Sequence, residues 1–327
     1  MFPQTQKNIV VIGGGTGTFV ALTGLKIFPV HLSAVITMMD SGGSTGRLRD
    51  QLGVLPPGDL RQALVALSRS DKLWRDLFLY RFEKGDLKGH NFGNLFLSAL
   101  EKVSGSIEQA VKLAGMILDT EGDVIPVTFT QSQLCVTLAD GTTIEGETQI
   151  DELEDDHERA RIVHAFLTPQ ASANPQALRA IKEADMIVIG PGDLYTSIIP
   201  NLLVSGIAEA LKASSAMKVF AMNLMTKYGQ TTGYTAYDHL IDLQQYIDGA
   251  IDVVLINKAK PHEQTLTLYR KYHEHIVENN IDTSSIRVVY EDLLSNDIVQ
   301  KASTDTLKRS LIRHDPQKLA KHLMALL

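Results

Sequence analysis

The stretch IVVIGGGTGTFVALTGLK, residues 9–26, joins four apolar residues to three consecutive glycines and then to a helical pattern. A buried strand, a glycine turn and a helix start bring bare backbone N–H groups up to a phosphate, because the helix N-terminus favours an anion and glycine permits close approach. Gly13, Gly14, Gly15, Thr16 and Gly17 are therefore the first candidate ligand-binding residues. A glycine-lined turn that holds no ligand is the plain alternative. The loop lacks the Gly-Lys-Ser/Thr ending of a Walker A sequence, and Thr18 stands at the third glycine position of the dinucleotide fingerprint, so a nicotinamide-dependent oxidoreductase is a weak match.

Outward from this turn the same alternation recurs. Short apolar runs at 9–12, 32–36, 186–189, 219–222, 253–256 and 286–289 fit strands covered on both faces. Helical patterns lie between them at 19–27, 60–67, 95–103, 107–118, 175–183, 202–212, 239–247 and 262–277. Alternating strands and helices predict an α/β fold, a Rossmann-like, doubly wound, mostly parallel sheet. Residues 124–150 break the pattern with β-rich runs around an Asp140-Gly141 turn, a hairpin signature. The chain thus reads as a single nucleotide-binding domain over 1–327 with a small antiparallel β insertion at about 124–168. The acidic run DELEDDHERAR (151–161) reads as a solvated loop, with a partner-binding surface as the sharper alternative.

Composition narrows the function. The chain has 31 Lys and Arg against 38 Asp and Glu, a net charge of -7, which argues against nucleic acid or an anionic membrane as partner. No run approaches the roughly 18 apolar residues that a membrane span needs. The N-terminal residues lack the apolar core of a signal peptide, and Cys135, the sole cysteine, sits in the apolar run LCVTL. A reducing, cytoplasmic location and a structural thiol are expected.

Ligands in open α/β sheets bind beyond the carboxyl ends of the strands. After the second strand comes Asp40 with a second anion-cradle composition, Ser41, Gly42, Gly43, Ser44 and Thr45. Asp59 and Gln62 fit a capping box. In GHNFGN, Asn91 reads as a helix cap, and Asn94, just after Gly93, reads as a ligand candidate. Gly190, Pro191 and Gly192 make a third small-residue turn, followed by Tyr195 and Ser197, and the next strand ends at Asn223. Together these strand ends describe one polar crevice sized for a nucleotide diphosphate.

The motifs GGGTGTFVALTGLK, DSGGSTGRLRDQLGVLPPGDLRQALVALS, GHNFGNLFLSAL, ADMIVIGPGDLYTSIIPNLL and NLMTKYGQTTGYTAYDHL together resemble the YvcK family, the gluconeogenesis factors, which is related to CofD, the 2-phospho-L-lactate transferase of deazaflavin coenzyme synthesis. The resemblance implies a UDP-sugar ligand such as UDP-N-acetylglucosamine and a regulatory role in carbon flow, cell-wall precursor supply and cell shape. No cofactor is required on that reading. Protein partners are expected of such a regulator, and a homo-oligomer stays open. The CofD branch implies instead a Mg2+-dependent transfer of a phospholactyl group from a nucleotide diphosphate donor, with Asp40 as metal ligand. Members of that branch, and many of the YvcK branch, carry adjacent aspartates where this chain reads Asp40-Ser41, which weakens a Mg2+ site. The resemblance also brings in Tyr269, to stack on or hydrogen-bond the nucleotide, and Arg313, to pair with pyrophosphate or sugar. A core tyrosine and a surface arginine are the plain alternatives. The stretch KASTDTLKRS offers hydroxyls for phosphorylation or is a simple loop.

Overall fold

The computed structural model describes residues 6–151, 159–247, 251–296 and 311–327. The centre of the acidic run and the whole of KASTDTLKRS lie outside these residues.

β1 (Lys7–Gly13) runs into α1 (Gly15–Leu25), and β2 (Val30–Ile36) into α2 (Gly43–Leu52). Next come α3 (Gly58–Leu67), α4 (Lys72–Leu79), α5 (Phe92–Ser104) and α6 (Ile107–Leu118), which returns the chain to β3 (Asp123–Pro126). The chain then leaves the sheet for β4 (Gln133–Leu138), β5 (Thr143–Glu145), the short helix α7 (Glu147–Asp151) and β6 (Ile162–Thr168). It returns through α8 (Pro175–Glu183) to β7 (Met186–Ile189), a π-helical turn at Leu194–Ile198, α9 (Ile199–Leu202) and α10 (Ile207–Ala213). β8 (Met217–Ala221), α11 (Ala236–Gln245), β9 (Val253–Asn257), α12 (Glu263–Arg270), β10 (Arg287–Glu291) and α13 (Pro316–Met324) follow.

The main sheet has the order β10-β9-β8-β7-β1-β2-β3, and every neighbouring pair is parallel. From β1 the chain winds outward through β2 to β3. It then crosses back to β7 on the other side of β1 and winds outward again. The strand order therefore reverses between β1 and β7, and a crevice opens at such a switch point. Ile9–Ile12 are at most 1% exposed and the four residues of β7 are fully buried, so both faces of these strands are covered. That is why they read as unbroken apolar runs rather than as alternation.

The α/β sheet and its small antiparallel companion, order β5-β4-β6, are as expected. Four details differ. Residues 123–126 pair in parallel with β2 and belong to the main sheet, so the antiparallel unit begins at β4. The expected 202–212 helix is divided between α9 and α10, with Gly206 at φ +100° in the break. The expected 262–277 helix stops at Arg270. His273 turns the chain at φ +57°, after which Val277 N–H donates to the Leu224 carbonyl. Finally, α2 starts inside the glycine loop, where turn composition conceals a helix.

Candidate functional site

The first wall is built by two turns touching backbone to backbone. Gly14 is the N-cap of α1, with no side-chain cap bond. A Cβ on Gly17 would overlap the Pro191 carbonyl oxygen and come within 2.9 Å of the Gly192 nitrogen. Thus Gly13–Gly17 and Gly190–Gly192 meet across the β1/β7 switch. Gly15 has φ +63°, a conformation in which glycine avoids the Cβ penalty. Ser197 lines the same place, its Oγ 3.7 Å from where a Gly15 Cβ would stand. Asn223 closes the end, its Nδ2 donating to the Gly192 carbonyl at 2.7 Å. Its Oδ1 is buried and has no hydrogen-bond partner among the described residues.

The second wall is the loop after β2. Gly42 is the N-cap of α2, again without a side-chain cap bond, and its N–H donates to Asp40 Oδ1 at 2.9 Å. Ser41 N–H donates to Glu147 Oε2 at 3.3 Å. Gly43 is exposed at φ +47°. Ser44, Thr45 and Asn94 turn inward and fasten the loop to α5. Ser44 Oγ lies 3.2 Å from His90 Nδ1, Asn94 Nδ2 donates to Thr45 Oγ1 at 3.3 Å, and Arg61 Nε donates to Asn94 Oδ1 at 2.8 Å. Asn94 is 3% exposed, so the structure places it beneath the loop as a brace rather than on the crevice surface. Asn91 caps α5, accepting the Asn94 N–H, as expected.

Between the walls stand carboxylates. A Cβ on Gly58 would meet Asp40 Oδ2, and one on Gly14 would meet Asp59 Oδ2, so α3 enters with only a glycine between it and Asp40. The capping reading of Asp59 gives way here. The N-cap of α3 is Pro57, and Asp59 turns instead toward the first glycine loop, where the Gly15 N–H helps to hold its charge. Burial, then the charge of Asp40, pushes the Asp59 carboxyl up to about 7. Burial also raises Asp40 and Asp193. Arg61 partly offsets Asp40 and Asp59, and Lys227 answers Asp193. Lys227 Nζ lies 3.1 Å from Asp151 and 3.8 Å from Asp193, and although burial works against its charge, these two carboxylates raise its pKa. Glu147, Asp151 and Lys227 lie outside the predicted set. The available signal was position: Lys227 follows β8 as Asp193 follows β7.

Tyr195 does not join the crevice wall. It is 1% exposed and donates to Asp242 Oδ2 at 2.5 Å, on the core side of the π-helical turn. Tyr269 is buried, and its hydroxyl accepts the N–H groups of Leu311 and Ile312 at 2.7 and 3.1 Å. It thereby pins the segment carrying Arg313, which is half-buried. His314, next in line, hydrogen-bonds the Met222 backbone at the end of β8, and burial lowers its pKa to about 4. Tyr269 and Arg313 thus belong to one small unit behind Asn223. Cys135 is buried and its thiol is raised by desolvation, which suits a structural role.

Among the described residues no three His, Cys, Asp or Glu side chains are grouped to hold a metal ion. Asp40 and Asp59 nevertheless suit a Mg2+ that arrives with phosphate oxygens, since such an ion takes one or two protein carboxylates. Asp59 stands near enough to Asp40 for the Asp40 charge to raise its carboxyl.

Comparison with known proteins supplies the family and bears out the fold. Residues 9–294 match the family model of CofD, 2-phospho-L-lactate transferase. The gluconeogenesis factor of Bacillus subtilis is 41% identical over 98% of this chain and 98% of its own. A putative gluconeogenesis factor of Nostoc is 43% identical over 97% of this chain and 68% of its own. A crystal structure of a UPF0052 family member from Bacillus halodurans superposes with a TM-score of 0.89 at 36% identity, covering 98% of this chain and 99% of the other.

Proposed function

We propose, from the premise that the chain belongs to the CofD family and stands among its gluconeogenesis factors, that it is a regulatory protein that binds a nucleoside-diphosphate sugar in the β1/β7 crevice. The observation that carries this reading is that two glycine-led helix N-termini, α1 and α2, neither with a side-chain cap bond, follow the neighbouring strands β1 and β2 beside the β1/β7 switch point. Amides presented this way favour a diphosphate. Gly13–Gly17 and Ser41–Gly43 take the phosphates, and Gly192, Ser197 and Asn223 form the far wall. Family likeness supplies the uridine and the sugar, with UDP-N-acetylglucosamine as first choice, because backbone amides do not read bases. It also supplies the regulatory role in carbon flow, cell-wall precursor supply and cell shape. The same likeness, a lone buried thiol, and the lack among described residues of a helix long and apolar enough to cross a membrane support the cytoplasm as location.

The Asp40–Asp59 pair favours a second reading, a Mg2+-dependent transferase of the CofD type, in which these two carboxylates hold the ion that neutralises the donor's phosphates. A nicotinamide enzyme would need Asp40 for a ribose, and its Oδ1 is already engaged by Gly42. Calorimetric titration with UDP-N-acetylglucosamine, GDP and NAD, with and without Mg2+, separates the three. Binding of the UDP-sugar without Mg2+ and without turnover is the expected result. A GDP preference that requires Mg2+ would install the transferase in its place.

A further inference from the structure

The short helix α7 stands where the β insertion meets the crevice, and its two ends reach opposite walls. At one end Glu147 Oε2 accepts the Ser41 N–H at 3.3 Å. At the other, Asp151 Oδ1 lies 3.1 Å from Lys227 Nζ and accepts from Gln230 Nε2 at 2.8 Å. Thr148 latches the helix to the second glycine loop. Its N–H donates to Ser41 Oγ at 3.0 Å, and the two hydroxyls are 3.0 Å apart. The Ser41 amide and the Lys227 ammonium are the groups an incoming anion needs, and each already holds a carboxylate from α7.

We propose that α7 is an internal stand-in for the ligand's anion: Glu147 and Asp151 occupy the Ser41 amide and the Lys227 ammonium, and a diphosphate must displace them to bind. This rests on the crevice being a diphosphate site. Asp151 competes for Lys227 as an ion pair, and charge-assisted bonds are about twice as strong as neutral ones, while Glu147 competes by holding the Ser41 N–H. Displacement leaves neither crevice group stranded, since Lys227 keeps Asp193 and the Ser41 amide gains a phosphate. Glu147 itself gains on release, because burial, Asp40 and Asp151 all push its carboxyl up where it stands. The device sets a threshold: weak or singly charged anions are excluded, and only a ligand with two phosphates outbids both ends of the helix.

The test is calorimetric titration of the full chain with inorganic pyrophosphate and with UDP, in EDTA, using Glu147→Gln, Asp151→Asn and the double variant. Glu145→Gln, on exposed β5, controls for general charge. Each single variant is expected to bind both probes about fivefold more tightly and the double variant more tightly still, with Glu145→Gln within about twofold of wild type. Thermal melting of each variant confirms folding, and the single variants keep a hydrogen-bonding amide of the same shape. Affinity that is unchanged or weaker, or an equal gain from Glu145→Gln, overturns the competition while leaving the crevice assignment in place. If no protein in the set, wild type included, binds either probe, the crevice assignment fails and takes this proposal with it.

Discussion

A methyl group at Gly17 would land on the carbonyl oxygen of Pro191, whereas one at Gly43 meets no atom within 4 Å. The two glycines lie in the two glycine loops and are required for different reasons. Gly17 allows the loops after β1 and β7 to touch, so Gly17→Val forces them apart. About 1–3 kcal/mol of stability should go with it, as for other overpacked sites, and UDP affinity should fall by more than about tenfold. Gly43→Ala meets only the left-handed backbone penalty, on the order of 1 kcal/mol. Urea unfolding at constant slope, run beside a UDP titration, measures both. Equal destabilisation by the two substitutions would contradict the close approach at Gly17.

At the level of elements, Asp242 on α11 ties three pieces of chain together. It accepts Tyr195 from the π-helical turn at 2.5 Å and Tyr234 from the segment before α11 at 2.6 Å, and it pairs with Arg161 from the start of β6 at 3.0 Å. Arg161 also lies over the Tyr234 ring, 4.6 Å from its centroid. Asp242→Ala strands two buried hydroxyls and should cost about 2–4 kcal/mol, read as a lowered urea midpoint, while Tyr195→Phe, which removes one donor, should cost about 1 kcal/mol. Comparable losses from both would mean that Asp242 is no hub. The same residues show where sequence reading stopped. Tyr195 follows a glycine turn at a strand end, so its position announces a ligand, but the π-helical turn rotates it into the core. Asp59 precedes Gln62 by the spacing of a capping box, yet the helix begins two residues earlier, at Gly58 with Pro57 as N-cap, and the carboxylate turns toward the first glycine loop. Turn and strand-end positions are readable from composition because glycine and apolar runs have local causes. Which way a side chain points at a helix start is decided by neighbours distant in sequence, and no local pattern carries it.

Over the whole molecule, the strands were legible as buried apolar runs but their order was not, and the switch between β1 and β7 gathers into one crevice acids from four separate segments. Asp40, Asp59, Glu147 and Asp193 are all raised above the ordinary carboxylate range, with burial as the leading cause, and Asp59 reaches about 7. In the unfolded chain the same groups release their protons near pH 4. Between about pH 4 and about pH 7 the folded protein therefore holds protons that the unfolded chain has lost, and stability falls as pH rises through that window. Two kinds of group act the other way: Asp185, held down by Lys7, only at lower pH, and the buried His314, lowered to about 4, within the window itself, because the unfolded chain takes up a proton near pH 6.5 that the folded side chain refuses. With the opposing histidine removed by His314→Gln, the ligand-free protein should accordingly melt at a higher temperature near about pH 5.5 than near about pH 8. Asp59→Asn removes the titrating carboxyl, so it should raise the melting temperature at the alkaline end, leave the acid end nearly unchanged and flatten the slope between. A melting temperature that climbs with pH, or a slope that Asp59→Asn leaves intact, would show that the carboxylates are not crowded as their positions imply. If Mg2+ with a diphosphate abolished the slope, the neutralised charge would be that of the crevice, tying the stability of the whole fold to occupancy of its switch point.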